Sequence, residues 1–349
     1  MTYKIAIVKN ESAFEHEPWA KACEASQDVD HYEIIDLTAD DWHLQATKDD
    51  FDLYLLRPSG RTELFKRLYD ERVYLLSMVL QKNIYPSLQE VLIYENKRFL
   101  RDWLECRNLP HPETFVGFNL KDAQAFIKAR KKFPVVGKTN IGASGNGVCL
   151  LNTRLDAAQY VKRAFSDGIK QKSGPKIFKG SLIEKIKKLA KKGFLINRLK
   201  EYKEYAQFSQ TGFVIFQEFI PHDFEWRCVR IGESYFSHKK IARNNMSSGT
   251  LLKGYDPVPV ELLNFVQQTT DKTNLSSVAI DLFDTGENNY LINEIQCFFG
   301  QSDPYQMLVD GKPGRYVFQG NVWAFEEGMF NTNQSYDLRL EHALSLLKK

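Results

Sequence analysis

The first apolar run, Ile5-Ala6-Ile7-Val8, is short and continuous, and a helix-like stretch follows around Pro18 to Ala25. His31 to Leu37 and Phe51 to Leu56 are further strand candidates, and Arg57-Pro58-Ser59-Gly60 ends the third as a turn. Leu64, Leu68, Leu75, Leu76, Val79 and Leu80 recur at roughly helical spacing. Asn83 to Ser87 reads as a short fourth strand and its exit. Strands alternating with helices favour a parallel sheet. The pattern therefore predicts an α/β fold that opens with a parallel-sheet domain over 1–90.

A single helix is expected next, from Leu88 to Cys106, stopped by Asn108-Leu109-Pro110-His111-Pro112. Thr114 to Phe118 fits a strand, Lys121 to Lys132 a charged amphipathic helix, and Phe133 to Lys138 a buried strand ending on a lysine. From Gly212 the pattern turns to strands: Phe213 to Ile220, Glu225 to Ile231 and Tyr235 to Ala242. Pro259 to Thr270 reads as a helix, Ser277 to Phe283 and Tyr290 to Phe299 as long apolar strands, and Tyr336 to Lys349 as a closing helix. The domain boundaries expected are 1–90, 91–220 and 221–349, with an insert over about 165–210.

Charge adds one feature to this picture. The net charge is +3, yet Lys170 to Lys203 holds twelve Lys/Arg against Glu184 and Glu201, a net +10 that leaves −7 elsewhere. Within it, Ser181-Leu182-Ile183-Glu184 fits a capping box, and Leu182, Ile183, Ile186, Leu189 and Ala190 share one helical face opposite lysines. The bland reading is a solvated helix capping a moving lobe; the sharper one is a docking surface for an anionic acceptor. No nucleic-acid module accompanies the tract, so nucleic acid is not an expected partner. No apolar run approaches the roughly 20 residues of a membrane helix. The five cysteines lie far apart with no Cys-x-x-Cys pair, which reads as reduced thiols in a cytoplasmic protein.

Three groups of residues carry candidate chemistry. Lys138 precedes a glycine-rich turn, Gly142-Ala143-Ser144-Gly145-Asn146-Gly147, whose bare N–H groups suit phosphate oxygens. Gly137-Lys138-Thr139 is not a Walker A ending, because that motif needs glycine where Lys132 stands. A plain hairpin loop explains the glycines equally well. Glu294 and Gln296 point the same way from one strand, and Asp281 lies inside another apolar run. Buried acids need a cation nearby, and carboxylate and carboxamide oxygens suit magnesium; ordinary salt bridges are the alternative. Arg227 and Arg243 carry forks suited to phosphate or carboxylate, though alone each reads as a surface ion pair.

In this order the pieces resemble the ATP-grasp superfamily over roughly residues 90–300, and within it the glutathione-synthetase-like and ribosomal-protein-glutamate-ligase-like members. Glu95-Asn96-Lys97 before Leu109-Pro110 matches the first phosphate lysine, and Pro134-Val135-Val136-Gly137-Lys138 with Gly142 to Val148 matches the second lysine and its loop. Gln217-Glu218-Phe219-Ile220 resembles the adenine hinge, with Glu225 as the following acid. Glu225-Trp226-Arg227 and Lys239 to Arg243 resemble the arginine segments, and Asp281 with Glu294-Ile295-Gln296 the metal strands, Gln296 standing where Asn is usual.

The resemblance implies an ATP-grasp fold with a lysine-rich helical insert, and ATP with Mg2+ as cofactors. It assigns Lys97, Lys138, Gly142, Ser144, Gly145, Gly147, Gln217, Glu218, Phe219, Ile220 and Glu225 to the nucleotide. Asp281, Glu294 and Gln296 go to the metal, and Arg227 and Arg243 to catalysis. The expected reaction is ligation of a carboxylate to an amine through an acylphosphate. A kinase acting on a sugar or other hydroxyl, and a non-catalytic ATP-binding regulator, are the alternatives. A homodimer is the default assembly. The tail, including Phe298-Phe299-Gly300 and Gly311 to Tyr316, lines the acceptor pocket or packs the last domain, and Arg57 to Gly60 is a second candidate acceptor wall.

Overall fold

The computed structural model describes residues 2–142, 147–170, 209–243, 246–247, 252–300 and 303–348. Two units divide the chain: the larger comprises Met1–Ser59, Leu64–Pro112 and Ile220–Lys349, the smaller Gly60–Glu63 and Glu113–Phe219.

The larger unit begins with strands β1 (Tyr3–Lys9), β2 (Val29–Asp36), β3 (Leu53–Leu56) and β4 (Ile84–Tyr85). Helices α1 (Glu17–Ala25), α2 (Trp42–Thr47) and α3 (Glu63–Tyr74) join them. All pairs are parallel, in the order β2-β1-β3-β4, as the alternation predicts. Ile5 and Ile7 enter one core and Ala6 and Val8 another, so the strand is apolar on both faces and reads as a continuous run.

The single helix expected over Leu88–Cys106 is two, α4 (Leu88–Ile93) and α5 (Lys97–Cys106). Glu95 takes φ 48°, a left-handed conformation that ends a helix. Asn96 then starts the next one, its side chain accepting from the Phe99 N–H at 3.3 Å. Lys97 thereby opens α5 and is not mid-helix.

In the smaller unit, β5 (Thr114–Gly117), β6 (Val135–Lys138), β7 (Val148–Leu151) and β10 (Val214–Glu218) form an antiparallel sheet ordered β5-β10-β6-β7. A two-residue ladder joins β8 (Ile169–Lys170) to β9 (Ser209–Gln210). Helices α6 (Leu120–Ala129) and α7 (Arg154–Ala164) pack Ala123, Ile127, Tyr160 and Val161 onto Val135, Leu151, Val214 and Phe216. The predicted lysine-rich helix lies outside the described residues.

The rest of the larger unit is mainly an antiparallel sheet. Its strands are β11 (Phe224–Ile231), β12 (Ser234–Arg243), β13 (Met246–Ser247), β14 (Lys253–Gly254), β15 (Ser277–Asp284), β16 (Tyr290–Gln296), β17 (Leu308–Val309), β18 (Lys312–Gln319) and β19 (Val322–Glu327). The central order is β16-β15-β11-β12-β18-β17. Trp226, Cys228, Ile280, Leu282 and Ile295 share an apolar core with Leu262, Leu263 and Val266 of α8 (Val260–Thr273) and with α9 (Tyr336–Leu346). Strand β16 is shorter than the predicted Tyr290–Phe299, because Cys297, Phe298 and Phe299 leave the ladder yet stay buried. The glycine-bearing stretch from Gly311 to Tyr316 is largely strand.

Candidate functional site

Strand register sets the site. On β15, Asp281 stands opposite Arg227 of β11 on one side and Glu294 of β16 on the other, and Arg227 stands opposite His238 of β12. Residues directly opposite across antiparallel strands project to the same face. Glu294, Asp281, Arg227 and His238 therefore form one row across four strands, and Glu225 and Lys240 form part of the next. On the reverse face, Trp226 and Cys228 of β11 and Val278, Ile280 and Leu282 of β15 enter the apolar core.

Asp281 is 2% exposed and still ionised. Burial alone would raise its pKa, but the Arg227 and Lys240 cations hold it far below the ordinary carboxylate range. Arg227 donates through Nε and Nη2 to the two Asp281 oxygens, each at 2.8 Å. Lys240 Nζ donates to Asp281 Oδ2 and to Glu225 Oε2, both at 2.7 Å. Glu225 moves the other way: burial pushes it up, Lys240 opposes, and the Asp281 charge adds to the rise. His238 is driven down to about 3 by burial and then by Arg227 and Lys253, so its imidazole is neutral near pH 7.

A second knot lies on the same face. Lys97 Nζ sits 3.6 Å from Glu95 Oε2 and 3.9 Å from Glu294 Oε1. Gln296 Nε2 donates to Glu95 Oε1 at 3.3 Å. The helix break at Glu95 thus brings the predicted phosphate lysine to the predicted metal strand. A bulge between Asp281 and Leu282 sets Glu294 opposite Asp281 and leaves Asn293 unopposed. Asn293 Nδ2 donates to Glu225 Oε1 at 3.2 Å.

In the smaller unit, Lys138 ends β6 opposite Val148 of β7, so the glycine-rich segment is the connection of an antiparallel hairpin. The Thr139 N–H donates to the Gly147 carbonyl at 2.8 Å, and Thr139 Oγ1 to the Ile141 carbonyl at 2.7 Å. A Cβ on Gly147 would lie 1.8 Å from Thr139 Oγ1, so only glycine fits there. Gly142, at φ 151°, uses backbone space that side chains rarely enter. Ser144 and Gly145 lie outside the described residues. Gln217 is buried on β10 between β5 and β6, its amide donating to Thr114 Oγ1 at 3.4 Å, and Glu218 ends the strand beside Val135. Phe219 and Ile220 follow directly, and the Ile220 carbonyl meets His222 Nδ1 at 2.7 Å.

The larger unit thus gathers Lys97, Glu225, Arg227, Asp281, Glu294 and Gln296. Arg243 ends β12, and its side chain lies outside the described part. Lys240, His238, Asn293 and Glu95 join the site without having been assigned a role from sequence. Lys240 and His238 share one face of β12 and could have been found from the same alternation that exposed Glu294 and Gln296. Asn293 could not, because the bulge breaks the alternation.

No three His, Cys, Asp or Glu side chains among the described residues make a metal cluster on their own. Glu294 and Gln296 nevertheless fit a hard cation. Both offer oxygen donors from the same face, the Glu294 side chain is 24% exposed, and their present contacts are loose. Asp281 fits less directly. Three cationic N–H groups occupy its oxygens, which leaves it one lone pair on Oδ1. Among the described residues no helix is long and apolar enough to cross a membrane.

No family model and no curated protein sequence matches the chain. Solved structures do. It is similar to the D-alanyl-alanine synthetase A of Vibrio cholerae, with a TM-score of 0.57, 11% identity and coverage of 100% of this chain and 99% of that one. It is similar to the N5-carboxyaminoimidazole synthetase of Staphylococcus aureus complexed with ADP, with a TM-score of 0.56, 11% identity and coverage of 98% and 77%. A D-alanine–D-alanine ligase from Bacillus anthracis complexed with ATP gives 0.53 at 13% identity, with 99% of each chain covered. At such identities the likeness is one of fold.

Proposed function

We propose that this chain, whose fold is the ATP-grasp fold, is an ATP- and magnesium-dependent ligase that joins a carboxylate to an amine. The observation that carries this reading is the meeting of Lys97 with Glu294 and Gln296 around Glu95, beside an Asp281 kept ionised by Arg227 and Lys240. The names of the similar structures, two of them holding ATP or ADP, support nucleotide use and carbon–nitrogen bond formation.

Lys97 and Lys138 neutralise phosphate charge, and the Gly142 to Gly147 segment, with Ser144 and Gly145, covers the phosphates through its N–H groups. Gln217, Glu218, Phe219 and Ile220 receive the adenine, and Glu225 keeps Lys240 in place. Glu294 and Gln296, with Asp281, would hold magnesium, which would supply charge neutralisation on the phosphates. A substrate carboxylate oxygen attacks the γ-phosphorus and ADP leaves. The amine then adds to the acylphosphate carbon, and phosphate leaves with the carbonyl restored. Arg227, through the Nη1 not used on Asp281, and Arg243 stabilise the oxyanion formed in between.

The test is a phosphate-release screen over amino acids, acidic peptides and sugar acids with ATP and magnesium, followed by product mass. Phosphate released only when carboxylate and amine are both present, with a product lighter than their sum by one water, supports the proposal. A product heavier by one phosphate overturns it in favour of a kinase.

A further inference from the structure

Glu95 is a buried acid at a strained point of the backbone. Its φ of 48° lies in the left-handed region, where glycine is the least costly residue. A larger residue persists at such a position where its surroundings compensate for the strain. Both neighbours are held: Tyr94 enters the core and packs edge-on against Phe298 at 6.2 Å, and Asn96 caps α5. The Glu95 side chain is 1% exposed, so its carboxylate takes its hydrogen bonds and counter-charge from protein groups.

Two of those groups belong to the candidate site. Lys97 Nζ lies 3.6 Å from Glu95 Oε2, and Gln296 Nε2 donates to Glu95 Oε1 at 3.3 Å. The second contact sets which way the Gln296 carboxamide is turned. A carboxamide has a donor end, the NH2, and an acceptor end, the oxygen, whereas a carboxylate only accepts. Glu95 therefore takes the NH2 end and leaves the Gln296 oxygen for a partner on its other side. Gln296 and Glu294 project from the same face of β16, and a hard cation needs oxygen from both. Turned the other way, Gln296 would present hydrogens where an oxygen is required.

We propose that Glu95 is a positioning residue of the metal site. Its Oε1 fixes the Gln296 carboxamide with the oxygen free for the cation, and its Oε2 keeps the Lys97 ammonium within reach of Glu294. The inference rests on the reading of Glu294 and Gln296 as ligands of magnesium. A purely electrostatic role is the rival account, since loss of any acid near a dication weakens its binding. The two differ in one respect: a positioning effect disappears once Gln296 is gone, and a charge effect does not.

The test titrates Mn2+ onto the full chain with a non-hydrolysable ATP analogue, following free Mn2+ by electron paramagnetic resonance. Mn2+ takes the same oxygen ligands as magnesium. Glu95→Gly removes the side chain where glycine adopts the backbone readily, and should raise the Kd about tenfold, as loss of a group that orients a metal ligand does. Gln296→Ala should raise it similarly, and adding Glu95→Gly to Gln296→Ala should change it by less than about twofold. Glu95→Gln keeps the size of the side chain but offers one acceptor to two donors; it should weaken binding in the same non-additive way, which preserves the test should Glu95→Gly not fold. A wild-type Kd in both Glu95 variants overturns the inference, and so does an equal loss with and without Gln296. If Glu294→Gln loses Mn2+ while the Glu95 variants keep it, this inference alone fails. If the wild type binds no Mn2+ with the analogue, the metal reading fails with it.

Discussion

Asp281 sits where burial would protonate it and stays charged only because Arg227 and Lys240 meet it at 2.7–2.8 Å. Removing one member of such a buried set exposes the desolvation cost of the others. Asp281→Asn should lose about 3–5 kcal/mol of stability in urea unfolding. Glu294→Gln, at a partly exposed position, should stay within about 1 kcal/mol of the wild type yet lose ATP turnover. Equal stability losses in the two variants would contradict the division of labour between them. The acid side carries a sign. The depressed pKa of Asp281 contributes stability that is present above its ordinary value of 3.8 and lost as pH falls below it. Asp281, Glu294 and Gln296 were legible because strand alternation isolates polar residues in apolar runs. Lys240 was open to the same alternation through His238 on its strand, but beside Lys239 it passes for a second solvated lysine.

Among the elements, the helix break at Glu95 sets Lys97 near Glu294 in the larger unit, and the hairpin after Lys138 belongs to the smaller unit. Gly147→Ala forces its Cβ against Thr139 Oγ1 and breaks the Thr139–Ile141 bond. If the hairpin serves the nucleotide, KM for ATP should rise about tenfold, equivalent to about 1.4 kcal/mol, with the fold retained; an unchanged KM would detach the hairpin from ATP. Helix α3 supplies a pH-dependent element. Lys66 Nζ and Asp70 Oδ1 pair at 2.5 Å, yet burial, against the pull of Lys66, pushes Asp70 from 3.8 up to about 6. A raised acid costs stability as pH climbs through that window. Relative to Asp70→Asn, the wild type should lose on the order of 2 kcal/mol between those two values, read from urea midpoints across pH. The break at Glu95 escaped the sequence because Glu at positive φ carries no compositional mark, unlike glycine. Ser87 and Glu90, three apart, bond reciprocally and cap α4. The hairpin β18–β19 was hidden by Gly311, Pro313 and Gly314, which read as loop.

At the scale of the whole chain, the α/β class and the parallel N-terminal sheet followed from alternating runs, because a parallel strand buried on both faces is apolar throughout. The site was legible as separate motifs in order. Its assembly was not, because the register that sets Glu294 against Asp281, and Asp281 against Arg227, depends on pairings between residues 54 and 13 positions apart. Ligation is the central claim, and it makes a specific demand on oxygen. With an 18O-labelled carboxylate from a productive pair in the phosphate-release screen, one 18O should appear in the inorganic phosphate for each product formed, since the attacking oxygen leaves with the phosphoryl group. Product formed with ADP while all the 18O stays in it would contradict the acylphosphate route and the account built on it.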